Sequence, residues 1–147
     1  EQMASEEVRC YSNLEDLLSA SDIVSLHIPA VPETHHLINE NRIEVMRQGA
    51  LLVNTARGTL VDEKALYKAL NSGHLGGAAL DVLEEEPPGS ANPLMALDSV
   101  IVTPHLGGST REALAAIAQV ASEQIRSVLE GEVPKYAVNC PVPNRAQ

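Results

Sequence analysis

Several residues in this sequence are of types that could do chemistry together: Arg57, Asp81, the run Glu84-Glu85-Glu86, His105 and the pair Gly107-Gly108. Arg57 is followed at once by Gly58, and a glycine there lets other backbone approach closely. An arginine at a strand tip is suited to gripping a carboxylate with two parallel N–H donors. His105 lies between Pro104 and the glycine pair. Its charge changes near neutral pH, which suits moving a proton to or from a hydroxyl. One acid of the Glu84-Glu85-Glu86 run, set beside His105, would orient the ring and favour the imidazolium. The spacing does not choose which acid, and the rest of the run reads as a solvated turn. Asp81 ends an apolar run and needs a partner there, either a backbone turn or a cofactor amide. Gly107-Gly108 precedes a helix start, where it could receive an anion or simply make a tight turn. Taken singly, Arg57 reads as a surface ion-pair partner and His105 as a histidine bonded within its own loop. His27, His35, His36 and His74 carry that reading more heavily. His35 and His36 are adjacent, which makes them poor joint ligands, so no metal site is expected.

These residues need elements to hold them. Residues 23–28, 50–54, 77–82 and 99–103 are short apolar runs that read as strands. Between them lie helical patterns. Asn13 caps a first helix through Leu18, and Asn39 opens a second that Gly49 stops. Asp62 caps a third that ends near Gly73. Ser109-Thr110-Arg111-Glu112 reads as a capping box for the longest helix, which Gly131 closes. Residues 84–98 are mostly loop, with one helical turn over 93–97. Short apolar strands alternating with helices predict an α/β fold, with a parallel Rossmann-type sheet covered on both faces. Ligands of such sheets bind beyond the carboxyl ends of the strands. There the sequence places His27-Ile28-Pro29, Thr55-Ala56-Arg57-Gly58, Asp81 with the acid run, and Pro104-His105 with the glycines.

Composition narrows the partners. The chain has 147 residues, one domain's worth, with a formal net charge of -10. That charge repels nucleic acids and anionic membranes, so neither is an expected partner. There is no Phe and no Trp, so the core must be aliphatic and stacking platforms for single strands are missing. Cys10 and Cys140 fit neither a disulfide framework nor a zinc motif and read as reduced thiols of a cytoplasmic protein. No apolar run is long enough to span a bilayer. Nor does the sequence contain G-x-G-x-x-G, a Walker-type lysine loop or a nucleophile elbow.

Taken together, the motifs carry a resemblance. Asn54-Thr55-Ala56-Arg57-Gly58 resembles the arginine signature of the D-isomer-specific 2-hydroxyacid dehydrogenases. Residues 79–87, ending Glu84-Glu85-Glu86-Pro87, resemble that family's acidic signature. Residues 103–110, Thr103-Pro104-His105-Leu106-Gly107-Gly108-Ser109-Thr110, resemble its histidine signature. Ser25-Leu26-His27-Ile28-Pro29 matches a further stretch. The resemblance implies an oxidoreductase moving a hydride between NAD(H) and a D-2-hydroxy or 2-keto acid, possible substrates including 3-phosphoglycerate. It implies that Arg57 binds the substrate carboxylate, that His105 is the acid/base and that Glu86, the acid before proline, pairs with it. His27, Pro29, Thr55, Ala56, Arg57, Asp81, His105, Gly107 and Gly108 would line the cofactor. The glycine-rich first βαβ unit and the ribose-binding acid are absent. Residues 1–133 are therefore expected to be a partial NAD-binding domain of a longer, homodimeric enzyme, weakly active alone. Residues 134–147 would form a tail leading back toward a substrate domain. The alternative implied by the same family is a corepressor-like module that senses NAD(H) or binds protein partners without catalysis.

Overall fold

Four short strands lie side by side in chain order, all parallel: β1 (Ile23–Leu26), β2 (Leu51–Asn54), β3 (Gly77–Leu80) and β4 (Val100–Val102). The computed structural model describes residues 8–89 and 92–139. These fall into two units, divided after His105. The first holds the sheet with α1 (Leu14–Ala20), α2 (Glu40–Val45) and α3 (Glu63–Asn71). It also has single 3-10 turns at Pro32–Thr34, Gly58–Leu60 and Pro93–Ala96. The second holds α4 (Arg111–Leu129).

The caps formed by local sequence are where the residue types put them. Asn13, Asn39 and Asp62 accept backbone N–H bonds at the starts of α1, α2 and α3, and Asp62 takes two, from Lys64 and Ala65. Gly49, Gly73 and Gly131 all adopt positive φ in the turns that follow helices. At α4 the expected cap moves by one residue: Thr110, not Ser109, accepts the Ala113 N–H at 3.1 Å. Ser109 is already engaged, donating its own N–H to the Leu106 carbonyl at 2.9 Å to close the turn over Gly107 and Gly108. The strands are shorter by a residue or two than their apolar runs, because the runs record side-chain character and the ladder records pairing.

The register sets one row across the sheet, with Leu26 beside Asn54, Asn54 beside Leu80 and Leu80 beside Val102. Its face, together with Val24, Leu52 and Ala78, packs on Leu18, Ile43, Leu66 and Leu70 from the three helices. Leu18, Ile38, Leu52, Leu60, Leu66 and Leu94 are fully buried, an aliphatic core without a single Phe or Trp. Full burial of one such side chain is worth roughly 1.5–3 kcal/mol. The opposite face is not covered within this unit, contrary to the expectation from apolar strands. Ile23 and Ile101 stand 61% and 67% exposed on it. The reason is topological. Strands laid down in consecutive order by right-handed crossovers send every connecting helix to the same side.

Candidate functional site

Because the strands are parallel, all four carboxyl ends share one edge, and each delivers a different kind of group. At the tip of β2 the buried Asn54 builds the arginine loop. Its Oδ1 accepts the Ala56 N–H at 3.1 Å and its Nδ2 donates to the Arg57 carbonyl at 2.8 Å, a side chain closing its own turn. This leaves the exposed Arg57 side chain at the tip, where one guanidinium nitrogen donates to the Ala56 carbonyl. Among the described residues Arg57 pairs with no carboxylate. Thr55, Ala56 and Arg57 line a cavity of about 470 Å³ with His27 and Pro29 from the end of β1. The His27 ring is held by the Ser25 hydroxyl at 2.8 Å.

A second cavity of about 480 Å³ opens beyond β3 and β4, lined by Asp81, Leu83, Glu86, Met95, Thr103 and His105 among others. Asp81 is 7% exposed, and its carboxylate accepts a hydrogen bond from the Thr103 hydroxyl. His105 has φ of +53°, a left-handed conformation uncommon outside glycine though less so for histidine. Its N–H reaches back to the carbonyls of Asp81 and Thr103, so the histidine loop is bonded to the end of β3 as well as β4. The His105 ring meets Glu86, with Nδ1 to Oε2 at 2.8 Å. The other Glu86 oxygen accepts the Leu83 N–H at 3.0 Å. The bond to His105 first, and that N–H second, hold the Glu86 carboxyl below its ordinary value. Of three adjacent acids, the structure thus sets Glu86 against the histidine.

The structure brings the sequence-predicted residues into two neighbouring groups on the edge: His27, Pro29, Thr55, Ala56 and Arg57 in one, Asp81, Glu86 and His105 in the other. Gly107 and Gly108 belong to the second unit, in the turn before α4, and a side chain at Gly108 would meet nothing within 4 Å. The edge fits the nicotinamide end of a dinucleotide. It offers a nearly buried carboxylate, Asp81, to accept from a carboxamide, and apolar walls from Leu83, Met95 and Val102 for a flat ring.

Residues 1–107 match the family described as D-isomer specific 2-hydroxyacid dehydrogenase, NAD binding domain. The chain belongs to this family. A D-3-phosphoglycerate dehydrogenase of Methanocaldococcus jannaschii is 48% identical over 91% of this chain and 25% of its own length. A glyoxylate reductase of Thermofilum pendens is 47% identical over 88% of this chain and 38% of its own. The chain therefore spans between a quarter and two fifths of these relatives. Among solved structures, D-lactate dehydrogenase from Aquifex aeolicus, complexed with NAD and lactic acid, superposes with a TM-score of 0.77 at 36% identity. That match covers 84% of this chain and 41% of the other. The TT0316 protein from Thermus thermophilus superposes at 0.82 with 50% identity, over 85% and 40%.

Within this dehydrogenase-family domain, three residues that support the site escaped the sequence reading. Asn54 was legible in principle, as a polar residue ending an apolar strand just before a turn. Thr103 reads only as the last residue of a β-branched run, and nothing local marks it as the partner of Asp81. Glu84, read as solvated, binds the start of α3 through residues 21 positions away. The adjacent His35 and His36 rings stack at 4.0 Å, and His36 Nε2 lies 3.1 Å from Glu84 Oε1. Cys10 is exposed and free, while Cys140 lies outside the described residues. Among the described residues no helix is long and apolar enough to cross a membrane.

Proposed function

We propose that this chain supplies the cofactor-binding and proton-transfer part of a dehydrogenase interconverting a D-2-hydroxy acid and its 2-keto acid. One observation carries the reading: a histidine held by a carboxylate at 2.8 Å, on the same strand edge as an arginine with no carboxylate partner among the described residues. Glu86, kept ionised, accepts from Nδ1, so Nδ1 carries a hydrogen in either charge state of the ring. Nε2 is left as the atom that exchanges a proton. In the neutral ring it accepts the substrate hydroxyl proton. In the imidazolium it returns a proton to the forming alkoxide. Arg57 holds the substrate carboxylate and so fixes which carbon faces the cofactor. His27, Pro29, Thr55, Ala56 and Asp81 would hold the dinucleotide. When bound, its nicotinamide accepts or donates the hydride.

Among substrates, 3-phosphoglycerate is favoured by the 48% identity to a phosphoglycerate dehydrogenase and by the likeness of the Gly107-Gly108-Ser109-Thr110 stretch. The 47% identity to a glyoxylate reductase makes glyoxylate the main competitor. The test is NADH oxidation by the natural gene product at full length, offered the keto acid of 3-phosphoglycerate, glyoxylate and pyruvate. Turnover of one of them is expected, and His105→Asn should lower kcat about 100- to 10,000-fold while NADH still binds. Failure to reduce any 2-keto acid, or full turnover in H105N, would refute the reading.

A further inference from the structure

We propose that Glu63 and Glu84 are positioning residues: a reciprocal clamp between the start of α3 and the acid loop that delivers Glu86 to His105 and keeps it in step with Arg57. The Glu84 N–H donates to Glu63 Oε1 at 2.7 Å, and the Glu63 N–H donates to Glu84 Oε1 at 3.1 Å. Each acid thus takes the other's backbone donor across 21 residues of chain. Glu63 is the first residue of α3, where backbone N–H groups have no partner inside the helix. Glu84 fills that vacancy from outside, and the positive end of the helix favours both carboxylates. Two further groups tie the clamp down. Asn92 Nδ2 donates to Glu63 Oε2 at 2.9 Å, and His36 Nε2 lies 3.1 Å from Glu84 Oε1.

The clamp matters because of what lies at each of its ends. On one side, Glu84 sits between Leu83, whose N–H binds Glu86 Oε1, and Glu86 itself, whose other oxygen binds His105. On the other side, Glu63 is six positions after Arg57, with the 3-10 turn Gly58–Leu60 and the cap Asp62 in between. The two segments also touch directly. A Cβ on Gly58 would lie 2.0 Å from the Leu83 carbonyl and 2.5 Å from the Glu84 nitrogen. The loop that carries Arg57 and the loop that carries Glu86 are therefore held together by backbone contact at Gly58 and by the paired acids at residue 63. Glu86 is itself exposed, so packing does not hold it. Its bond to His105 depends on where this loop is pinned.

The proposal rests on the dehydrogenase reading, and a double-mutant cycle in the full-length natural gene product separates the two. Glu63→Ala should lower kcat by about 10- to 100-fold, the range that a displacement near 1 Å can cost, with the KM for NADH little changed. Glu63→Gln, which keeps one acceptor oxygen for the Glu84 N–H, should restore most of that loss. In a Glu86→Gln background, Glu63→Ala should cost little more, because the clamp acts through Glu86. Equal losses from E63A in both backgrounds, or none in either, would overturn the clamp and leave the dehydrogenase reading standing. If E86Q turned over like the parent, the clamp would fall and the dehydrogenase reading would stand. Should E63A melt out, Glu84→Ala, which removes only the acceptor for the Glu63 N–H, is read in the same cycle: a loss smaller than about 10-fold is expected in the parent background and none added in Glu86→Gln, and equal losses in both would overturn the clamp.

Discussion

Gly58→Ala is the sharpest perturbation of this edge, because the backbone packed against it leaves no room for a side chain. An added Cβ would sit 2.0 Å from both the carbonyl carbon and oxygen of Leu83, and 2.5 Å from the Glu84 nitrogen, where ordinary contact begins at 3.4 Å. The neighbours are backbone atoms, so no rotamer change relieves the clash. One segment must retreat by roughly 1.4 Å, the difference between 3.4 and 2.0 Å. Overpacking of this kind costs about 1–3 kcal/mol. For a unit of this size, each kcal/mol lowers the melting temperature by roughly 4–8 °C. The displaced segment carries the Leu83 N–H and Glu86, so turnover should also fall by about 100-fold. Thermal melts followed by circular dichroism, beside NADH-linked turnover of the full-length product, read both effects. An alanine variant that melts and turns over like the parent would refute the idea that Gly58 is the joint between the two loops.

The other expectations are more local. Leu66→Ala removes a fully buried side chain between α3 and the sheet and should cost about 2–5 kcal/mol in urea unfolding, whereas an exposed apolar change at Met95 should cost far less. Asn54→Ala strands the Ala56 N–H and the Arg57 carbonyl and should destabilise by about 1–3 kcal/mol, with a rise in KM for the keto acid as the arginine loop loosens. Acid should act on the Glu86–His105 pair with a definite sign. The Glu86 carboxyl is held below its ordinary value by His105 and the Leu83 N–H, so its stabilising effect is fully present above the ordinary carboxylate range. That effect is lost as pH falls through the lowered folded value. Melting temperatures of the parent and of Glu86→Gln should therefore differ at neutral pH and converge at the acid end. A difference that grows on acidification would contradict the assignment.

What could be read from sequence was whatever is settled within a few residues. The caps at Asn13, Asn39 and Asp62 and the turn glycines at 49, 73 and 131 follow from side-chain reach and backbone freedom, and the structure has them all. Thr110 in place of Ser109 marks the limit of that method: two hydroxyls compete for one cap, and the winner depends on a turn that commits the Ser109 N–H elsewhere. That the helices of the first unit all lie on one face of its sheet lay beyond it. Apolar strands report that a face must be buried, while the consecutive strand order decides which side the helices occupy. Among the acids, composition could not separate Glu84 from Glu86. One caps a helix and the other meets a histidine, and both partners are distant in the chain.

The same consecutive order also assembles the edge. With β1 to β4 adjacent and parallel, neighbouring tips lie only one strand spacing apart, about 4.8 Å, so β2 and β4 are separated by about 10 Å. The carboxylate and hydroxyl of a 2-hydroxy acid sit on adjacent carbons, so under the proposed reading the long Arg57 side chain has to cross most of that distance to reach a substrate at His105. The backbone then fixes the spacing. The Asp81 N–H binds the Asn54 carbonyl, the His105 N–H binds the Asp81 carbonyl, and the Leu83 carbonyl rests on Gly58. Each chemically distinct loop is therefore tied to its neighbour by main-chain atoms, which side-chain substitution leaves in place. Side chains along this edge can therefore change without loosening the main-chain ties between β2, β3 and the loops that follow them.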